Sequence, residues 1–231
     1  MKFFNLALAA GAVAFTASSA TAVTIVIDDF STFQQVIDVP TPGAVNSNVE
    51  MGIGDLSADR AMSVVTSGGG LGASTFTSTG ASGFVPSNSV TLSNSPGQSS
   101  VATITYTFGS SVDLTSGGFT DKFFFEFPGG ILSGDVIGTN FSTTVVSGAG
   151  TGTDVEALTP FSSPFLSFSD ADFAAVDFED VTSLMFTFES SESFDGALNS
   201  ISVVPVPAAG LLLLGGLGAF AAVGRRRRRQ S

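Results

Sequence analysis

Ala102-Thr103-Ile104-Thr105-Tyr106-Thr107-Phe108 alternates apolar and hydroxylated side chains with a period of two, and all but Ala102 are β-branched or aromatic. Successive strand side chains point to opposite faces, so this stretch is a strand with one buried face, Tyr106 on the buried side. The signature recurs outward in both directions. Phe123, Phe125 and Phe127 repeat it, as do Leu184, Phe186 and Phe188 against Thr187 and Glu189. Val23, Ile25 and Ile27 open the body on one strand, and Ile201 and Val203 close it on another. Shorter candidates lie near 62–66, 75–79, 90–92, 141–146 and 165–168, separated by clusters of Gly, Ser, Asn and Pro. Only 170–180 hints at a helical turn. The expected class is all-β, a single β-sandwich or jelly-roll domain over residues 23–203.

The two ends differ from this body. Met1 and Lys2, the apolar run 3–15 and the small residues Ala20-Thr21-Ala22 have the layout of a secretory signal peptide over residues 1–22, with cleavage expected after Ala22. At the other end, residues 204–231 hold Val204-Pro205-Val206-Pro207-Ala208, an apolar run containing Leu211, Leu212, Leu213 and Leu214, and then Arg225, Arg226, Arg227, Arg228 and Arg229. The stretch 208–223 has no charged side chain and is just long enough for a membrane span. The arginines hold the C-terminus in the cytoplasm and the body outside. Pro205 and Pro207 cannot extend the helix upstream and leave an extended segment at the membrane edge.

That order of proline motif, apolar helix and basic cluster resembles the PEP-CTERM class of bacterial sorting signals, in its VPLPA-CTERM variant, with Val206 where leucine is usual. The resemblance covers residues 204–231. It implies recognition and cutting of the tail by an exosortase, a membrane-embedded processing enzyme. The protein would pass transiently through the inner membrane by its C-terminal helix and then reach the cell surface or an exopolysaccharide matrix. Without such cutting, the tail is an ordinary single-span anchor.

Once both ends are removed, Arg60 and Lys122 are the only basic residues against all 20 acidic ones, a formal charge of −18. Such a surface repels phosphates, and with no basic patch a nucleic-acid partner is excluded. The chain has no cysteine and no histidine. Disulfides, thiolate metal sites, serine–histidine nucleophiles and zinc hydrolysis are therefore all excluded by composition. The 23 phenylalanines, with one tyrosine and no tryptophan, are expected to fill a core rather than build a flat sugar-stacking platform.

Ile27-Asp28-Asp29-Phe30 and Asp177-Phe178-Glu179-Asp180-Val181 resemble stretches of carbohydrate-binding-module-like jelly rolls. That resemblance implies neighbouring first and last strands with a structural calcium beside them. Calcium takes six to eight hard oxygens and suits this composition, and Asp28, Asp29 and Asp195 are its candidate ligands. No cofactor is required. Gly150-Thr151-Gly152-Thr153-Asp154 reads as a flexible hairpin loop, and the Ser-, Thr- and Gly-rich stretch 67–100 as a long surface loop. Two function classes stand. The first is a noncatalytic surface or matrix protein binding calcium or polysaccharide. The second is a secreted hydrolase working through carboxylates alone, in the manner of a glycosidase.

Overall fold

The computed structural model describes residues 23–39, 48–68, 72–78, 88–127, 138–159 and 165–205. The signal-peptide segment 1–22 and the tail from Val206 onward lie outside the described residues. Among those described, no helix is long and apolar enough to cross a membrane.

The described chain forms β1 (Ile25–Asp28), β2 (Gln34–Asp38), β3 (Asn48–Ile53), β4 (Ala58–Gly68), β5 (Ser74–Ser78), β6 (Val90–Asn94) and β7 (Gln98–Val112). These are followed by β8 (Thr120–Glu126), β9 (Asn140–Ser147), β10 (Thr151–Ala157), β11 (Phe165–Ser167), β12 (Val181–Glu189), β13 (Asp195–Leu198) and β14 (Ser200–Pro205). The hint of helix at 170–180 becomes one 3-10 turn, Ala171–Phe173.

Among the described residues all strand pairings are antiparallel, in three sheets of order β1-β14-β8-β11, β10-β9-β12-β7-β4-β3 and β13-β6-β5-β2. The six-stranded sheet forms one layer and the two four-stranded sheets face it. Phe123 and Phe125 of β8 pack edge-on against Phe186 of β12, with centroids 6.1 and 5.4 Å away. Phe76 of β5 meets Phe188 of β12 at 6.3 Å. Ile104, Tyr106, Phe123, Phe125, Phe141 and Phe186 are all fully buried, as the period-two pattern requires. Aromatic rings supply large buried areas and prefer these edge-to-face contacts, so phenylalanine does form the seam between the layers.

The opening strand β1 and the closing strand β14 pair directly, Ile25 opposite Val203. Two expectations are corrected. The stretch 67–100 is not one long loop: the strand candidates near 75–79 and 90–92 are β5 and β6, which lie within it and pair along their full lengths. Gly152 to Asp154 belong to β10 rather than to a flexible loop, in register with β9 from Thr151 opposite Val146. Gly152 is required there because a Cβ would fall 2.6 Å from Asp172 O and 2.9 Å from Phe173 and Val176 side-chain carbons.

Candidate functional site

The body's one arginine lies fully buried between the layers. Arg60 Nη1 donates to Asp28 Oδ2 at 2.6 Å, Nε to Gln34 Oε1 at 2.8 Å, and Nη2 to Thr32 O at 2.7 Å and Ser78 Oγ at 3.0 Å. Tyr106 Oη donates to the same Asp28 Oδ2 at 2.7 Å, and Phe30 N donates to Oδ1 at 2.7 Å. Burial pushes the Asp28 carboxyl above its ordinary range, although Arg60, Tyr106 and the Phe30 amide all pull it down. Burial also drives the Tyr106 phenol well up, and the Asp28 charge adds to that. Both carboxylate oxygens of Asp28 are consumed by protein donors.

The three candidate calcium ligands therefore stand apart in role. Asp28 is sealed in the core. Asp29 is exposed and accepts from Ser31 N at 3.0 Å and Ser31 Oγ at 2.6 Å. Asp195 is exposed at the start of β13, opposite Ser93 in another sheet. Among the described residues no group of three or more carboxylates is placed to hold a metal ion, so the expected Asp28–Asp29–Asp195 grouping is not assembled.

A shallow, open depression of about 540 Å³ lies at one end of the first sheet. One wall is the β7–β8 loop, tied down by its own sequence. Asp113 Oδ1 accepts from Thr115 N and Thr115 Oγ1 at 2.7 and 2.6 Å, and Asp113 Oδ2 accepts from Gly117 N at 3.0 Å. Burial acts to raise the Asp113 carboxyl, but these donors outweigh it and hold the group below its ordinary value. Gly117 and Gly118 adopt φ of 70° and 88°, a left-handed conformation that glycine enters freely. Leu114 N donates to Phe178 O at 2.9 Å and joins this loop to the opposite wall.

That opposite wall runs from Val176 to Glu179, where Asp177 Oδ1 accepts from Glu179 N at 2.9 Å. The apolar part of the lining is Phe168, Val176 and Phe178; Phe168 and Phe178 stack with centroids 3.9 Å apart and planes 5° from parallel, and Phe178 is buried. Around it stand the hydroxyls of Thr115, Ser167 and Ser169 and the carboxylates of Asp121, Asp177 and Glu179. Asp121 Oδ1 is itself buried, accepts no hydrogen bond and lies 3.8 Å from Lys122 Nζ. Asp177, Phe178 and Glu179 belong to a stretch singled out from sequence. Thr115, Asp121 and Ser169 were not, because only the fold brings three separate segments together.

Two outer faces carry paired side chains. On the outer face of the first sheet, Phe124 and Phe165 stack at 4.8 Å, Phe165 is 58% exposed, and Lys122 Nζ lies 5.9 Å from its ring centroid. Phe165 thus lies outside the core that phenylalanine is expected mainly to fill. On the outer face of the six-stranded sheet, Thr103 meets Thr187 and Thr144 meets Thr153, their hydroxyls 3.4 and 2.9 Å apart.

Of the expected processing residues, Val204 and Pro205 are half-buried members of β14, opposite Lys122 and Thr120. Ala20, Ala22, Val206, Pro207, Ala208, the leucines 211–214 and the arginines 225–229 lie outside the described residues.

No protein-family model matches the chain, and no curated protein is similar to it. Solved structures give remote likenesses. A family 11 carbohydrate-binding module from Clostridium thermocellum, in complex with a β-1,3-1,4-mixed-linked tetrasaccharide, is 11% identical with a TM-score of 0.38, covering 81% of this chain and 98% of that one. The module TmCBM61, in complex with β-1,4-galactotriose, is 9% identical with a TM-score of 0.33, covering 77% and 91%.

Proposed function

We propose that this chain is a noncatalytic, exported surface or matrix protein whose β-sandwich body, a jelly roll, binds polysaccharide in the cleft between the β7–β8 loop and residues 176–179. The observation that carries the reading is the composition of that depression: half-buried Phe168 and Val176 beside Thr115, Ser167, Ser169, Asp121, Asp177 and Glu179. Sugar rings have apolar C–H faces that rest on aromatic surface, and their hydroxyls donate to carboxylates and exchange hydrogen bonds with serine and threonine. The ligand is a neutral glycan, because the body's charge of −18 repels an anionic one.

The tail carries the rest of the reading. Its proline motif, apolar run and arginine cluster deliver the body through the inner membrane to an exosortase-type enzyme, which frees it for the cell surface or matrix. A binding role also suits the interior, since Asp28, a carboxyl raised by burial, is enclosed by Arg60 and Tyr106 away from any substrate.

Affinity electrophoresis of the purified body through gels cast with neutral or anionic polysaccharides tests the binding claim. Retardation by a neutral glycan, relieved by Asp121→Ala with Glu179→Ala and kept by Thr105→Glu on the six-stranded sheet, is expected. Retardation lost in Thr105→Glu and kept in the double variant would move the site to the sheet face. No retardation in any gel would end the glycan reading.

A further inference from the structure

The outer face of the six-stranded sheet is nearly free of charge on a body that is otherwise strongly acidic. The pairing registers line its outward side chains up in rows across the strands. One row runs Thr153, Thr144, Met185, Thr105, Ala61 and Val49, from β10 to β3. The row beside it runs Val155, Ser142, Thr187, Thr103 and Ser63. Neither holds a charged side chain. The rows on either side of these two hold one carboxylate each, Asp59 opposite Thr107 and Glu189 opposite Val101, so these four rows take two of the chain's 20 acidic residues.

The face is also apolar. Val49, Val65, Val101, Val155 and Met185 are exposed on it, while Thr103, Thr105, Thr144 and Thr187 are half-buried by their row neighbours. The hydroxyls of Thr103 and Thr187, and of Thr144 and Thr153, pair with one another at 3.4 and 2.9 Å. That pairing supplies hydrogen bonds within the sheet and lowers the cost of taking water off these groups.

We propose that two copies of the chain pair through this face, sheet against sheet about a two-fold axis. Such a contact is self-complementary, with the two sheets about 10 Å apart and their strands about 30° from parallel. Charge selects the partner. Two bodies of −18 repel one another over the rest of their surface, and a cationic partner is drawn instead to the carboxylates, whereas here two copies meet with both central rows free of buried charge.

Area sets the strength. Six strands about 4.8 Å apart, with rows from Val101 to Thr107 at about 3.4 Å per residue, make a face on the order of 500 Å² in projection. With the relief of the side chains a pair buries on the order of 1,000–1,300 Å² in all, at the lower edge of specific interfaces and above ordinary crystal packing. The pair is therefore weak, and salt strengthens it by screening the repulsion between the two acidic bodies. The first sheet and its depression lie on the opposite layer and stay open to solvent.

Sedimentation equilibrium of the detergent-solubilised full chain, from nanomolar to high micromolar concentration, tests the pairing. The wild type is expected to pass from monomer to dimer across the micromolar range, and at lower concentration in high salt than in low. Met185 and Thr105 sit on the two middle strands, nearest the axis. Thr105→Glu brings like charges together there and is expected to raise the midpoint at least about tenfold. Mixing Thr105→Glu with Thr105→Lys is expected to recover the dimer, which shows that both variants are folded. Phe165→Ser, on the first sheet, is expected to leave the midpoint unchanged. A wild type that stays monomeric throughout would overturn the inference. So would a dimer that survives Thr105→Glu, which would place association in the tail or on another face, and so would a mixture of the two variants that stays monomeric.

Discussion

Asp28 Oδ2 accepts two short hydrogen bonds at once, from Arg60 Nη1 at 2.6 Å and from Tyr106 Oη at 2.7 Å, and all three side chains are buried. The contact joins β1 to β4 and β7, and so fastens the first four-stranded sheet to the six-stranded one. A buried ion pair is a poor source of net stability but a severe loss when one partner goes, because the other charge is left in the core.

Arg60→Met is therefore expected to cost about 3–5 kcal/mol by urea unfolding, a large part of the stability of a domain. Adding Asp28→Asn to that variant removes the stranded charge and is expected to recover part of the loss. Tyr106→Phe leaves Arg60 and the Phe30 amide in place and is expected to cost about 1.5–3 kcal/mol. Equal losses from Arg60→Met alone and from the double variant would show that the pair is not coupled.

Gly54 gives a second test. Its φ is +63°, and a Cβ built there falls 2.0 Å from the backbone oxygen of Ile27. The tight approach lets Asp55 N donate to Val26 O at 2.8 Å. Gly54→Ala must distort β1, and it is expected to destabilise by at least about 1–3 kcal/mol. Gly52→Ala has a comparable φ but no atom within 4 Å of its Cβ, and is expected to cost less in the same denaturant series.

Asp154 points inward on β10, an edge strand of the six-stranded sheet. Burial raises its carboxyl above the ordinary value, the Val155 amide opposes this, and Asp172 and Asp170 add to the rise. A raised folded-state value means that the stabilising contribution is complete below the unfolded value of about 3.9 and is lost as pH climbs through the folded one. Asp154→Asn is expected to be the more stable protein near pH 7, with the wild type closing the gap as pH falls toward 4. A gap that widens on acidification would contradict this placement.

The sequence disclosed strands wherever one face is buried and the other wet, because that contrast writes a period of two. β7, β8, β12 and β14 were legible for this reason, and so was the burial of Tyr106. β10 was not. It is an edge strand with Thr151, Thr153, Val155 and Glu156 all exposed, so its composition matches that of a loop. The role of Asp28 was hidden for another reason: an acidic residue beside a strand looks like a cation ligand until a buried arginine, 32 residues away, is seen to occupy it. The cleft was not legible. Asp177, Phe178 and Glu179 stood out only as part of a stretch resembling carbohydrate-binding-module-like jelly rolls, and Thr115, Asp121 and Ser169 join them only through the sheet.

Glycan binding in that cleft is tested most directly by amide chemical shifts of the isotope-labelled, purified body during titration with a neutral oligosaccharide. Shifts concentrated at Thr115, Gly118, Thr120, Asp121, Ser169 and Glu179, saturating with ligand and absent in Asp121→Ala with Glu179→Ala, are predicted. Shifts that leave these amides still and gather instead on the six-stranded sheet at Thr105, Thr144 and Thr187, or no shift with any neutral glycan, would contradict it.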